Sequence, residues 1–239
     1  MKRAIRIITA AVAAVTAAVL MGGCSQADLQ KMQQGIKDGI NDSLASAANA
    51  DPVTIEEMQG SVDGQTYTNT AAGFSVTFPE EYTVLGYEDI QDEFQEDIDN
   101  IKAKITDPKA AEVEISQGIP RCIAIKNEAA PDGNSTAFTV TVADMQDPLS
   151  QDIVTFTTMA TGVAGMLDKS NTYKKPSATK IGGMDAAYYE VEMQQDDGIL
   201  LEKMNCIYPR NYFVTVTFAS RADKDLPDMD KVLGAIKVD

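Results

Sequence analysis

The sequence predicts an α+β domain, an antiparallel β-sheet flanked by helices, and three observations carry that reading. Short runs alternate apolar and polar residues with period two, as in Phe74-Ser75-Val76-Thr77-Phe78 and again from Ala187 to Met193. Elsewhere apolar residues recur at steps of three and four, at Ile90, Phe94, Ile98, Ile101 and Ile105 and at Ile153, Phe156, Ala160, Val163 and Leu167. Asp197-Gly198 supplies a tight reversal between two alternating runs, the mark of a hairpin. Strands that cluster while helices interrupt them imply helices packed on an antiparallel sheet.

The N-terminus precedes that domain and has a different logic. Lys2, Arg3 and Arg6 form a positive start, and Ile7 to Met21 form an apolar run without a charge. At about 1.5 Å per residue this run is too short for the roughly 30 Å hydrocarbon core, so cleavage is expected rather than a permanent span. Leu20-Met21-Gly22-Gly23-Cys24 resembles the bacterial lipobox, in which two small residues precede a cysteine that is acylated on sulfur and becomes the new N-terminus. Residues 1–23 therefore read as a lipoprotein signal peptide and Cys24 as the lipidation site, which puts the chain on the extracytoplasmic face of the cell membrane, held by its lipid. An ordinary secretory signal with an incidental Cys24 and an uncleaved anchor are the competing readings.

Residues 24–64 read as the lipidated N-terminus and a helical or flexible tether. Leu29, Met32, Ile36, Ile40 and Leu44 make a helical stripe, but Gly35 and Gly39 each cost nearly 1 kcal/mol relative to alanine. A spacer and a docking helix both fit that pattern. The domain is expected over residues 65–239. Its first strands are Phe74–Phe78 and Tyr82–Leu85, with a corner at Pro79. A helix over Glu88–Ile105 follows, with seven acids (Glu88, Asp89, Asp92, Glu93, Glu96, Asp97, Asp99) toward its N-terminus and Lys102 and Lys104 in its last turn, as the helix dipole favours. Ile123 and Ile125 alternate with small residues, and Pro131-Asp132-Gly133-Asn134 turns the chain into Phe138, Val140 and Val142. Asp147 is the expected cap of the second helix, with Pro148 at its first position. The hairpin pairs Ala187–Met193 with a strand through Met204 and Cys206. Tyr212, Val214, Val216 and Phe218 then form another strand, and Pro227 opens a closing helix through Met229, Val232, Leu233 and Ile236.

With these elements in place the chain resembles the PsbP/DcrB-like group of small exported domains. Gly73-Phe74-Ser75-Val76-Thr77-Phe78-Pro79 is similar to that group's opening strand, with Tyr82 where members often carry tryptophan. Ile181-Gly182-Gly183-Met184-Asp185-Ala186-Ala187-Tyr188 is similar to the glycine turn that leads into its long hairpin. The resemblance implies an antiparallel sheet flanked by helices, frequently on a lipoprotein or on an accessory subunit of a membrane assembly. It implies no activity, because the group has no shared catalytic motif.

Composition narrows the chemistry. With 36 acidic and 20 basic side chains and a formal charge of −16, the chain is a poor nucleic-acid binder, which needs a positive surface. The absence of histidine removes Ser/His and Cys/His nucleophilic pairs and every His-containing metal site. Ser177-Ala178-Thr179-Lys180 matches S-x-x-K, but a KTG partner is missing and the segment precedes a strand. Asp223, Asp225, Asp228 and Asp230 could offer oxygens to a cation, yet they lack the spacing and glycine of an EF-hand and also fit a solvated loop with capping acids. Cys122 and Cys206 form either a disulfide, which an exported location permits, or two buried thiols. No catalytic residue, metal site or cofactor is assigned. The expectation is a non-enzymatic accessory or assembly protein that binds a membrane-associated protein partner in the cell envelope. The alternative is a solute- or cation-binding module built on Tyr188, Tyr189, Met193, Met204, Tyr208 and Tyr212, with a carboxylate-only enzyme as a third reading.

Overall fold

The computed structural model describes residues 58–104, 115, 119–126, 136–144, 152–167, 169–195, 198–220 and 227–239. The alternating runs become strands, and they assort into two antiparallel sheets rather than one. β1 (Ser61–Asp63), β2 (Thr66–Asn69) and β3 (Phe74–Thr77) form a small sheet in that order, completed by β12 (Lys237–Val238) against β3. The larger sheet contains β4 (Tyr82–Gly86), β5 (Cys122–Lys126), β6 (Ala137–Asp144), β7 (Asn171–Tyr173), β8 (Ser177–Ile181), β9 (Met184–Gln195), β10 (Gly198–Ile207) and β11 (Tyr212–Ser220). Its order is β4-β5-β6-β11-β10-β9-β7, and β8 pairs with the other end of β9.

Pro79 separates β3 from β4, so the two runs on either side of the corner serve different sheets. The domain also starts earlier than residue 65: β1 pairs with β2, Met58 is buried, and the Asn69 side-chain amide donates to the Met58 carbonyl at 2.9 Å. β12 carries too few residues for its alternation to be read from sequence. It forms because the closing helix delivers Val238 opposite Phe74.

Helices cover the sheets as their stripes require, with local differences. The acidic helix is broken into α1 (Tyr87–Ile90), a 3₁₀ turn (Gln91–Phe94) and α2 (Gln95–Lys104), and all three parts turn Ile90, Phe94 and Ile98 inward. Asp89 reaches back to accept from the Gly86 backbone N–H at 3.1 Å. The second helix, α3 (Ile153–Leu167), is capped by Asp152 instead of Asp147. The Asp152 carboxylate accepts from the Val154 and Thr155 N–H groups and from the Thr155 hydroxyl, at 3.1, 3.0 and 2.6 Å. These bonds, the Thr155 hydroxyl first, hold its carboxyl below the usual carboxylate range. The closing helix α4 (Pro227–Gly234) opens at Pro227 as expected. Asp147, Pro148, Ile105, the turn at 131–134, Asp223, Asp225 and the whole segment up to residue 57, Cys24 included, lie outside the described residues.

The main core lies between the sheets. Tyr67, Phe74, Val76 and Phe78 face Phe138, Val140, Val142, Val214, Val216 and Phe218, with Val232 of α4 packed among them. On the opposite face of the large sheet, Ile153 and Phe156 of α3 pack with Val191, Met193, Leu200, Met204 and Phe213. A third cluster joins the α1 and α2 stripe to Ile115, Ile119 and Ile123. Gly182 and Gly183 link β8 to β9 as a two-residue reversal with φ of +57° and +85°. Glycine adopts that geometry without strain, and a Cβ at Gly182 would stand 3.0 Å from Val238.

One ion pair ties α4 to the edge of the large sheet. Asp228 accepts from the Tyr82 hydroxyl at 3.0 Å and from Lys126 Nζ at 2.8 Å. Burial raises its carboxyl, but the bonds from Lys126 and Tyr82 outweigh that and hold it below its ordinary value of 3.8. Asp228→Ala is expected to cost ~2 kcal/mol, measured as a fall in the urea midpoint at pH 7. The carboxyl is depressed in the folded state, so the difference from the parent should be full above about pH 4 and fade as the pH falls below it.

Candidate functional site in the long hairpin

The β9–β10 hairpin buries Glu202, Lys203 and Asn205 side by side and presents a different character on each face. Gly198 pairs with Gln195 and begins the returning strand, so it belongs to the ladder rather than to the Asp197-Gly198 reversal read from the sequence. Register then follows without a slip from Leu201 opposite Glu192 to Ile207 opposite Ala186. Alternation places Tyr188, Glu190, Lys203 and Asn205 on the face toward the small sheet, and Tyr189, Val191, Glu202, Met204 and Cys206 on the face toward α3.

The first face holds an ion network. Glu190 accepts from Lys174 Nζ at 2.7 Å and from the Tyr188 hydroxyl at 2.6 Å, and Lys203 Nζ stands 3.8 Å away. Lys174 also reaches Glu192 at 3.2 Å. The Lys174 bond, followed by that of Tyr188, keeps the Glu190 carboxyl below its usual range. Burial and this same bond push the Tyr188 phenol up. The network anchors the end of β7, where it leads into β8, against β9.

The other face is almost wholly apolar and contains one buried acid. Glu202 is fully buried, neither carboxyl oxygen has a hydrogen-bond partner, and desolvation alone pushes its carboxyl up to about 8. Tyr189, diagonal to it on β9, is also buried with an unpartnered hydroxyl, and burial raises its phenol well above the ordinary value. Thr139 Oγ1, two strands away in the row that runs Tyr189, Met204, Thr217, Thr139, is buried and unpartnered as well. The sequence carries a signal for Glu202 that composition hides: it stands in step with Leu200, Met204 and Cys206, on the inward positions of the strand.

The residues singled out from sequence fall as follows. Cys122 and Cys206 are free and buried, and they do not form a bridge. They sit in different core clusters on opposite faces of the sheet, and β6 and β11 separate their strands. Three inter-strand steps of about 4.8 Å put them roughly 14 Å apart, twice the reach of a disulfide. Burial raises both thiols, Cys206 to about 12, where they act as small core residues. Ser177 and Lys180 lie within β8 rather than ahead of a strand. Ser177 donates to the Tyr188 carbonyl at 3.4 Å and Lys180 to Asp185 at 2.9 Å, and an offset of three residues sends strand side chains to opposite faces. Asp228 is committed to Tyr82 and Lys126, and Asp230 is exposed. Among the described residues no group of three or more Cys, Asp or Glu side chains is placed to hold a metal ion. Tyr189, Met193 and Met204 are buried in the α3 cluster with Tyr208 packed against it, while Tyr188 belongs to the ion network and Tyr212 packs against the inter-sheet core, so the six do not converge on one pocket. Six of the seven helix acids are exposed, and Glu93 is half-buried.

No family model and no curated protein sequence matches the chain. Among solved structures it is similar to cyanobacterial PsbP (CyanoP) from Synechocystis sp. PCC 6803, at 12% identity and a TM-score of 0.44 over 75% of this chain and 98% of that one. It is similar to LpqN of Mycobacterium tuberculosis, a protein involved in cell envelope biogenesis, at 9% identity and a TM-score of 0.41 over 69% and 82% of the two chains. A protein from Bacteroides thetaiotaomicron matches at 12% identity and a TM-score of 0.41 over 74% of this chain, which spans about half (49%) of that protein's length.

Proposed function

We propose that this chain is a membrane-anchored lipoprotein on the extracytoplasmic face, a non-enzymatic accessory or assembly protein whose α+β domain binds a membrane-associated protein partner. The observation that carries the reading is the charged start, short apolar run and Leu20-Met21-Gly22-Gly23-Cys24 sequence, which supply a lipid anchor ahead of a folded domain. The exposed acids of α1 and α2 support a protein partner with a basic face, since they lie on helices pinned to the sheet by Ile90, Phe94 and Ile98. Ser177 and Lys180 have separate partners, and the chain has no histidine, which supports a binding role over catalysis.

The test is crosslinking in intact cells with a C-terminally tagged, lipidated protein, followed by capture and mass spectrometry. One membrane-associated protein should be recovered in near-stoichiometric amount, and Asp92→Lys, Glu96→Lys and Asp99→Lys together should cut its recovery about tenfold. Cys24→Ala should release the protein from membranes or leave an uncleaved precursor. A Cys24→Ala protein of mature size that still sediments with membranes would overturn the anchor, and recovery unaffected by the charge reversals would overturn the acidic face as the docking surface.

A further inference from the structure

Among the described residues nothing neutralises Glu202, a buried acid. Its strand neighbours across the sheet are Val191 and Ala219, both in the apolar cluster beneath α3. From β9 the titratable group on that face is Tyr189, and Asp185 at the strand's far end is exposed and bound to Lys180 of β8. From β10 it is Cys206, and from β7 it is Tyr173. β6 and β11 present alanine, threonine and phenylalanine there. Lys203, the nearest lysine along the strand, points to the opposite face and toward Glu190. The helix that covers the cluster, α3, has no charged residue at all. Its buried Thr157 and Thr161 hydroxyls are spent on the Ile153 and Thr157 carbonyls, at 2.7 and 3.0 Å.

We propose that Glu202 is a proton-operated latch for α3: with the carboxyl protonated the helix lies closed on the sheet, and loss of that proton releases the helix from the β9–β10 hairpin. A carboxylate in this position would be an unpaired charge in an apolar layer, and among the described residues the layer has no cation to receive it. The cheapest relief is to admit water by lifting the cover. α3 is suited to yield, since it contains Gly162, Gly165 and four threonines, all poor helix formers, and depends on packing for its stability. The released state presents Val191, Leu200 and Met204 to solvent, while the core between the two sheets stays closed because its residues lie on the other face.

The two free cysteines report the difference directly. Cys206 lies beneath α3 on the Glu202 face, and Cys122 lies in the core between the sheets. The full-length chain in detergent micelles is pulsed with iodoacetamide between pH 6.5 and 9.5, and labelling at each cysteine is mapped by mass spectrometry. The ratio of Cys206 to Cys122 labelling removes the intrinsic rise in thiolate with pH. The ratio should climb as the pH rises toward about 8, by up to about tenfold per pH unit, level off above that value, and be flat throughout in both Glu202→Gln and Glu202→Leu. A flat ratio in the parent chain, labelling of both cysteines in parallel, or a rise that persists in both variants would overturn the latch.

Discussion

Glu202→Gln is expected to stabilise the domain by about 3 kcal/mol at pH 7 and by under about 1 kcal/mol at pH 5, the reverse of the usual effect of a buried substitution. Glutamine has nearly the shape of the protonated acid and leaves similar polar atoms unpartnered, so what the substitution removes is ionisation. In the unfolded chain Glu202 ionises near 4.5, whereas burial in the sheet pushes its carboxyl up to about 8. A group with a raised folded value contributes its full stability below pH 4.5 and loses it progressively as the pH rises through 8. The parent should therefore weaken from pH 5 to pH 9 by more than the variant does. Urea unfolding followed by far-ultraviolet circular dichroism reads this as a midpoint gap of about 1 to 2 M at pH 7 that closes toward pH 5. Equal midpoints for parent and variant at both pH values would refute it.

Phe138→Ala should produce the largest loss, about 4 kcal/mol, and leave the domain only marginally folded at 25 °C. Phe138 is fully buried on β6, and its ring meets those of Phe78 at 5.8 Å, Tyr82 at 5.5 Å and Phe218 at 5.0 Å. Phe78 follows directly on β3 of the small sheet, Tyr82 opens the edge strand β4, and Phe218 lies on β11, so one ring joins both sheets and the corner between them. Removing it deletes buried apolar area, opens a cavity between two sheets that cannot both collapse onto it, and ends three aromatic contacts. Phe156→Ala is the internal comparison. Among the described residues that ring has a single aromatic neighbour, Phe213 at 5.3 Å, and it lies on the inner side of a helix able to settle, so its loss should be smaller. A Phe138→Ala penalty below about 1 kcal/mol, or one smaller than that of Phe156→Ala, would show that the sheets are not held together at this point.

The site was less legible in the sequence than the strands around it. Glu202 reads as one acid among 36. Only its phase with Leu200, Met204 and Cys206 marks it as inward, and only the helix above shows that the inward side is a covered apolar layer. The disulfide question shows the same limit. Cys122 and Cys206 both lie on strands with apolar neighbours, and the fact that separates them, two intervening strands and opposite faces, is a property of sheet order. The helix cap moved from Asp147 to Asp152 because any aspartate ahead of an apolar stripe can cap it. What identifies Asp152 is its bonds to the Val154 and Thr155 N–H groups, which spacing in the sequence does not reveal.

What the sequence determined by itself is local: the period-two runs that became β3, β6, β9, β10 and β11, the stripe of the acidic helix, the glycine pair between β8 and β9, and the start of α4 at Pro227. Each is set by side chains within a few residues of one another, where the spacing alone dictates which face turns inward. Tertiary structure decided which strands pair, that they form two sheets instead of one, that the last two-residue strand exists, and that Glu202 is buried with its carboxyl oxygens unpartnered among the described residues. Those outcomes depend on contacts between residues far apart in the chain, and strand partnership and burial leave no periodic trace in either partner taken singly.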